Sequence, residues 1–184
     1  MRNYIFFYLV LIIFIAGGIH LTTYSLEKQK KEKLEGTNHQ QRIGEFLDAG
    51  DQLKSADIEG KTLVLFSWNE FSSKPEDFIQ LNELVKNGPA NLEVLAISQA
   101  DKEYGESYFI RKKIKPEFKT LHNQRAINQY LQELVSNFYD SDSLKLMKVR
   151  NPLAVVIDAN GKVKLGKIGG HPKLMDEIKQ AAAK

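Results

Sequence analysis

Cysteine is absent from this chain, and its absence excludes more than disulfides. No thiolate is available to attack a substrate disulfide, no second thiol to resolve the mixed disulfide that follows, and no residue to carry lipid at a lipobox. With three methionines and no thiolate, a Cu(I) site built from two thiolates and a histidine cannot be assembled. No ligand spacing for zinc or calcium is present, so neither a metal nor a cofactor is expected. The four histidines, His20, His39, His122 and His171, fall in no catalytic motif, which leaves acyl transfer by a serine without a recognisable base.

A large excess of charge of one sign is also missing. The net charge of +3 is too small to suggest nucleic acid, and no basic patch interleaved with aromatics stands out. A long apolar run occurs at the start: Tyr4 to Ala16 is unbroken, and continuing to Leu21 gives eighteen residues. At about 1.5 Å per residue such a helix covers about 27 Å, close to the ~30 Å hydrocarbon core of a bilayer. Residues 1–25 therefore read as an N-terminal signal anchor, a transmembrane helix meeting the membrane through residues 4–21. The competing reading is a cleaved signal peptide with Arg2 as its charged start and Ala16-Gly17-Gly18 as the cleavage site. Apolar character resumes at Ile19 and Leu21, which favours the anchor.

Residues 26–43 are mostly polar and read as a solvated spacer. Lys28, Lys30, Lys31 and Lys33 outnumber the charge before the span, which by the positive-inside rule favours a cytoplasmic domain. Against this, Glu27, Glu32 and Glu35 dilute the lysines, and an apolar segment beginning at residue 4 reads as a signal anchor. An extracytoplasmic domain is the expectation.

Residues 44–184 carry the periodicities of one α/β domain. Leu63 to Phe66, Leu92 to Ile97 and Leu153 to Ile157 are short continuous apolar runs, as in strands buried on both faces. Phe78, Leu81, Leu84 and Val85 recur at helical spacing between the first two, so a right-handed parallel crossover is expected. A helix is predicted from Tyr104 to Lys113. A clearer one has Ala126, Ile127, Tyr130, Leu131, Leu134, Val135 and Phe138 on its core face, with Asn128 among the residues on its solvent face. Asp158 to Gly161 is a turn whose glycine supplies positive φ. Lys162 to Ile168 alternates and is predicted to be an edge strand. A last helix runs from about Pro172 to Ala183, with Leu174, Met175 and Ile178 inward.

Residues 60–68 (GKTLVLFSW), Val94 to Ser98 and residues 149–162 (VRNPLAVVIDANGK) resemble the thioredoxin-like superfamily, most closely the membrane-anchored TlpA-like and ResA-like thiol-disulfide proteins of bacteria. The resemblance spans about Ile58 to Ile178. It implies an α/β, three-layer thioredoxin-like fold with a central mixed sheet, an envelope location, and an active-site turn of the form Trp-x-x-Trp-Cys-x-x-Cys at a helix start. Here those positions read Trp68-Asn69-Glu70-Phe71-Ser72-Ser73-Lys74-Pro75. Ser72 stands in the place of the attacking cysteine and Pro75 in that of the resolving one. A hydroxyl neither ionises usefully near neutral pH nor forms disulfides, so the family's chemistry is not expected.

Ser72 or Ser73 is better read as a helix cap, with Pro75 in the first turn. The resemblance also places Asn151-Pro152 opposite this turn, as the family's cis-proline. A groove between Trp68, Phe71, Ser72, Ser73, Lys74 and Pro75 on one side and Asn151 and Pro152 on the other would then persist as a protein-binding surface. The functions in play are a redox-inactive, membrane-anchored binding or scaffolding subunit and a structural component of a secretion, conjugation or motility machine. An accessory thiol-disulfide or cytochrome-maturation factor without thiols of its own is the third.

Overall fold

The continuous apolar run after Lys61 forms β1 (Thr62–Trp68), and every residue from Leu63 to Trp68 is buried. A strand buried on both faces belongs at the centre of a sheet, and β1 lies there. The computed structural model describes residues 35–138, 152–169 and 173–183. The predicted membrane span lies outside these residues; among the described residues no helix is long and apolar enough to cross a membrane.

In chain order the elements are α1 (His39–Asp48), a 3-10 turn (Ser55–Asp57), β1, α2 (Pro75–Asn87), β2 (Leu92–Ser98), α3 (Lys102–Arg111), β3 (Lys119–Leu121), α4 (Arg125–Phe138), β4 (Leu153–Ile157), β5 (Val163–Ile168) and α5 (Leu174–Ala182). The sheet order is β3-β2-β1-β4-β5. β1 pairs parallel with β2, and β2 parallel with β3, whereas β4 runs antiparallel to both β1 and β5. The sheet is mixed, and β5 is an edge as its alternation predicts.

Alternation along the strands sorts the core into two layers. Val64, Phe66 and Trp68 join Phe78, Leu81 and Leu84 of α2, Tyr108 and Phe109 of α3, and Leu174, Met175 and Ile178 of α5. On the opposite face α4 packs against β2, β4 and β5, burying Ile127, Leu131, Leu134 and Val135. Each large side chain so buried contributes about 1.5–3 kcal/mol relative to exposure.

Several elements depart from expectation. α1 begins inside the stretch read as spacer. Its start is built by Asn38, whose side chain accepts from Gln41 N at 3.0 Å, and by His39 N donating to Gly161 O at 2.9 Å. Ile43 and Leu47 are buried from one face of α1, and Gln40 Nε2 donates to both Ile58 O and Lys61 O, at 2.8 and 2.7 Å. These contacts fasten α1 to the segment leading into β1, so residues 39–43 belong to the α/β unit.

Strand β3, three residues long, has no counterpart in the sequence reading. Val85, predicted inward, is exposed, as is Ala126. Asn128, predicted on the solvent face, is fully buried and donates through Nδ2 to Ser67 Oγ at 2.7 Å. Phe138, predicted on the core face, has its side chain outside the described residues.

Candidate functional site

The site grows from the C-terminal end of β1. Trp68 is only 2% exposed and its ring lies 5.1 to 5.2 Å from those of Phe78, Tyr108 and Phe109. It is a floor beneath the turn and not a groove contact. Neither its Nε1 nor Ser73 Oγ has a hydrogen-bond partner in the structure, though both atoms are buried. A buried, unpaired polar atom costs about 1–3 kcal/mol, and both such atoms lie next to this turn.

Asn69 shapes the turn. Its Oδ1 accepts from Phe71 N at 3.0 Å, Ser72 N at 2.9 Å and Ser72 Oγ at 2.8 Å, an Asx arrangement that substitutes for backbone pairing. Ser73 N donates to Asn69 O at 3.1 Å, and Tyr108 Oη donates to Ser73 O at 3.1 Å. Ser73 is buried, whereas Phe71, held over the turn, is 90% exposed.

Helix α2 then starts at Pro75, whose missing N–H is no loss in the first turn. The cap is neither serine. Lys74 occupies the N-cap position, and the Asp77 carboxylate accepts from Lys74 N at 2.9 Å. Asp77 and Glu76 also complement the helix dipole. Ser72 stands ahead of the cap, outside the helix, and its hydroxyl is spent on Asn69. Its partner is an amide and not an imidazole, so it has none of the activation a serine nucleophile requires.

The turn is tied to α3 from the outside. Glu70 Oε2 accepts from Arg111 Nη2 at 3.0 Å, with the Glu70 side chain only 16% exposed. Glu70, Phe71, Tyr108, Arg111 and Lys112 line a pocket of about 330 Å³. Burial is the main cause that raises the Tyr108 phenol pKa, helped by Asp77, Glu76 and Glu70. At neutral pH Tyr108 therefore stays a neutral donor to Ser73. Sequence reading missed Asn69, Glu70, Tyr108 and Arg111. Asn69 alone had a local signal, an Asn at the head of a polar turn.

Of the remaining predicted groove residues, Lys74 is exposed, Pro75 half-buried and Pro152 buried at the entrance to β4. Pro152 O accepts from Gly169 N across the β4–β5 pair. Asn151 lies outside the described residues. Among the described residues no cluster of acidic or imidazole side chains could hold a metal.

No family model matches this chain, and no curated protein matches it either. Solved structures do. The thioredoxin domain of a thiol-disulfide oxidoreductase from Bacteroides vulgatus is similar with a TM-score of 0.50 at 14% identity, over 73% of this chain and 88% of that one. A thioredoxin family thiol:disulfide interchange protein from Chlorobium tepidum TLS matches at 15% identity and a TM-score of 0.48, over 73% of this chain and 86% of its own. A secreted Mycobacterium tuberculosis disulfide oxidoreductase matches at 17% identity and a TM-score of 0.44, over 73% and 90%. Taken with the β3-β2-β1-β4-β5 mixed sheet and the helix that starts just beyond the β1 turn, the Bacteroides match identifies the fold: this chain has a thioredoxin-like fold that carries no cysteine of its own.

Proposed function

We propose that this protein is a redox-inactive binding subunit of the cell envelope, tethered by residues 4–21, that holds a protein partner through the turn from Asn69 to Lys74. One observation carries the reading. The turn that in the resembled family presents a thiolate is fully built here, yet it presents a side chain fit for contact and not for chemistry: Phe71 is 90% exposed and lines a pocket with Tyr108, whose ring packs on the buried Trp68. A phenyl ring in water on a well-braced turn is a contact point waiting for a cover. Trp68 and Ser73 support it from below.

Site-specific crosslinking in intact membranes tests this. Benzoylphenylalanine at position 71 keeps an aromatic ring on the turn, and at position 162, an exposed residue of the β4–β5 hairpin, it serves as a control. A discrete crosslinked protein from position 71 and none from position 162 is expected. Insulin reduction by the purified chain, or the same crosslinks from both positions, would overturn the reading.

A further inference from the structure

The pocket beside Phe71 is walled by the end of α3, through Tyr108, Arg111 and Lys112, and not by Pro152, and the end of α3 is basic. Arg111, Lys112 and Lys113 follow in succession, with Lys115 two residues on. Arg111 is held by Glu70, whereas Lys112, Lys113 and Lys115 have no ion-pair partner among the described residues. Glu76 and Asp77 stand on the α2 side of Tyr108, and Asp77 accepts from Lys74 N. The unpaired cations are thus gathered at the α3 end.

The backbone there is set firmly. Ile114 N donates to Phe109 O at 2.9 Å and Lys113 N to Ile110 O at 3.0 Å, which closes α3 in a Schellman turn. Lys113 takes the left-handed position with φ of 55°, where glycine is the comfortable residue. A lysine is carried at a position that would fold better without one.

We infer that this pocket binds an acidic segment of a partner protein, one apolar side chain lying against Phe71 and Tyr108 while flanking carboxylates meet Lys112 and Lys113. The inference rests on the binding role proposed above and names the chemistry of the partner. Charge complementarity selects the occupant. Glu70 is already neutralised by Arg111, and Glu76 and Asp77 lie on the α2 side of Tyr108, so at the α3 wall an incoming carboxylate faces Lys112, with Lys113 next to it in the chain, while Phe71 and Tyr108 supply the apolar wall.

The test is calorimetric titration of the full chain with the acetylated, amidated peptide Asp-Glu-Phe-Glu-Asp. Two controls replace its Phe by Ser or its four acids by Lys. Binding of the acidic Phe peptide is expected, weakened about tenfold or more by Phe71→Ser, Lys112→Glu and Lys113→Gly, and weakened again as salt rises past the ~8 Å screening regime. Lys113→Gly separates binding from folding, because it relieves the left-handed strain and its denaturation midpoint stays level or rises while affinity falls.

Equal binding of the Ser or Lys peptides, or affinity unchanged in all three variants, overturns the inference. So does the absence of peptide binding together with co-sedimentation on phosphatidylserine vesicles that the same variants abolish, which would assign the patch to lipid. The two readings fail separately. Crosslinking from position 71 that persists in the Lys112→Glu, Lys113→Gly chain leaves the binding role standing and removes the acidic partner. Peptide binding without any crosslink from position 71 does the reverse.

Discussion

Asn128 Nδ2 donates to Ser67 Oγ across 2.7 Å with both residues fully buried, joining α4 to the central strand through the interior. Gln132 Nε2 donates in turn to Asn128 Oδ1 at 3.3 Å. Polar pairs in an apolar layer hold one register of helix on sheet, since any shift would break them. Asn128→Ala is expected to destabilise the domain by about 2 kcal/mol, and Asn128→Asp by more, because a carboxylate there has no cation to face. Urea denaturation followed by circular dichroism measures both. A loss below about 0.5 kcal/mol in Asn128→Ala would mean that apolar packing alone seats α4.

The β4–β5 turn grips the start of α1. Gly161 has φ of 79°, and a Cβ on it would stand 2.0 Å from Asn38 Oδ1. Gly161→Ala is therefore expected to cost about 2–3 kcal/mol, combining left-handed strain with the clash. Asn38→Gly in the same chain removes the clash and leaves the strain. The double variant should lose clearly less than the sum of the two singles, and strict additivity would refute the contact.

His122 sets a pH dependence. It is 3% exposed, neither ring nitrogen has a hydrogen-bond partner, and Gly105 packs so close that a Cβ there would meet the ring at 2.3 Å. Burial is the main cause that lowers its pKa; Glu106 and Asp101 pull upward and Lys102 downward. The unfolded chain, with an ordinary His pKa of about 6.5, then binds a proton that the folded one refuses. Stability is full above about pH 6.5 and falls as pH drops below it, by at most about 1.4 kcal/mol per unit from this group. Denaturation from pH 5 to 8, wild type against His122→Asn, measures it, and equal slopes in the two chains would remove His122 as the cause.

The turn that carries Phe71 depends on one amide. Asn69→Ala deletes three hydrogen bonds to Phe71 and Ser72, and local opening should become about 1–2 kcal/mol easier. Chymotrypsin cleavage at Phe71 under native conditions reports that opening, and is expected to accelerate about tenfold. An unchanged rate would place the rigidity of the turn in the Glu70–Arg111 pair instead.

The strands were legible because they are continuous apolar runs: Leu63 to Phe66 and Leu153 to Ile157 leave no helical period to choose. α1 escaped because Gln40 and His39 look like solvent residues, and only contact with Ile58, Lys61 and Tyr130 makes their burial favourable. β3 escaped for a simpler reason, since Lys119-Thr120-Leu121 has no pattern apart from its pairing with β2. Asn128 breaks the helical wheel by being polar and buried, a placement that only its partner Ser67 explains.

At the site, the absence of cysteine was visible at once, whereas the architecture of the turn was not. The Asx role of Asn69 is local and follows from its residue type. The bond from Arg111 to Glu70 joins residues 41 apart in the chain, and no local rule connects them.

The aromatic floor beneath the turn has an experimental use. Trp68 is the sole tryptophan, and its indole is enclosed by Phe78, Tyr108 and Phe109 directly under the segment that displays Phe71. The tryptophan emission of this protein therefore comes from one ring at one place. A ligand that covers or moves the turn would shift that emission without any label, whereas events at the distant β4–β5 hairpin should leave it silent.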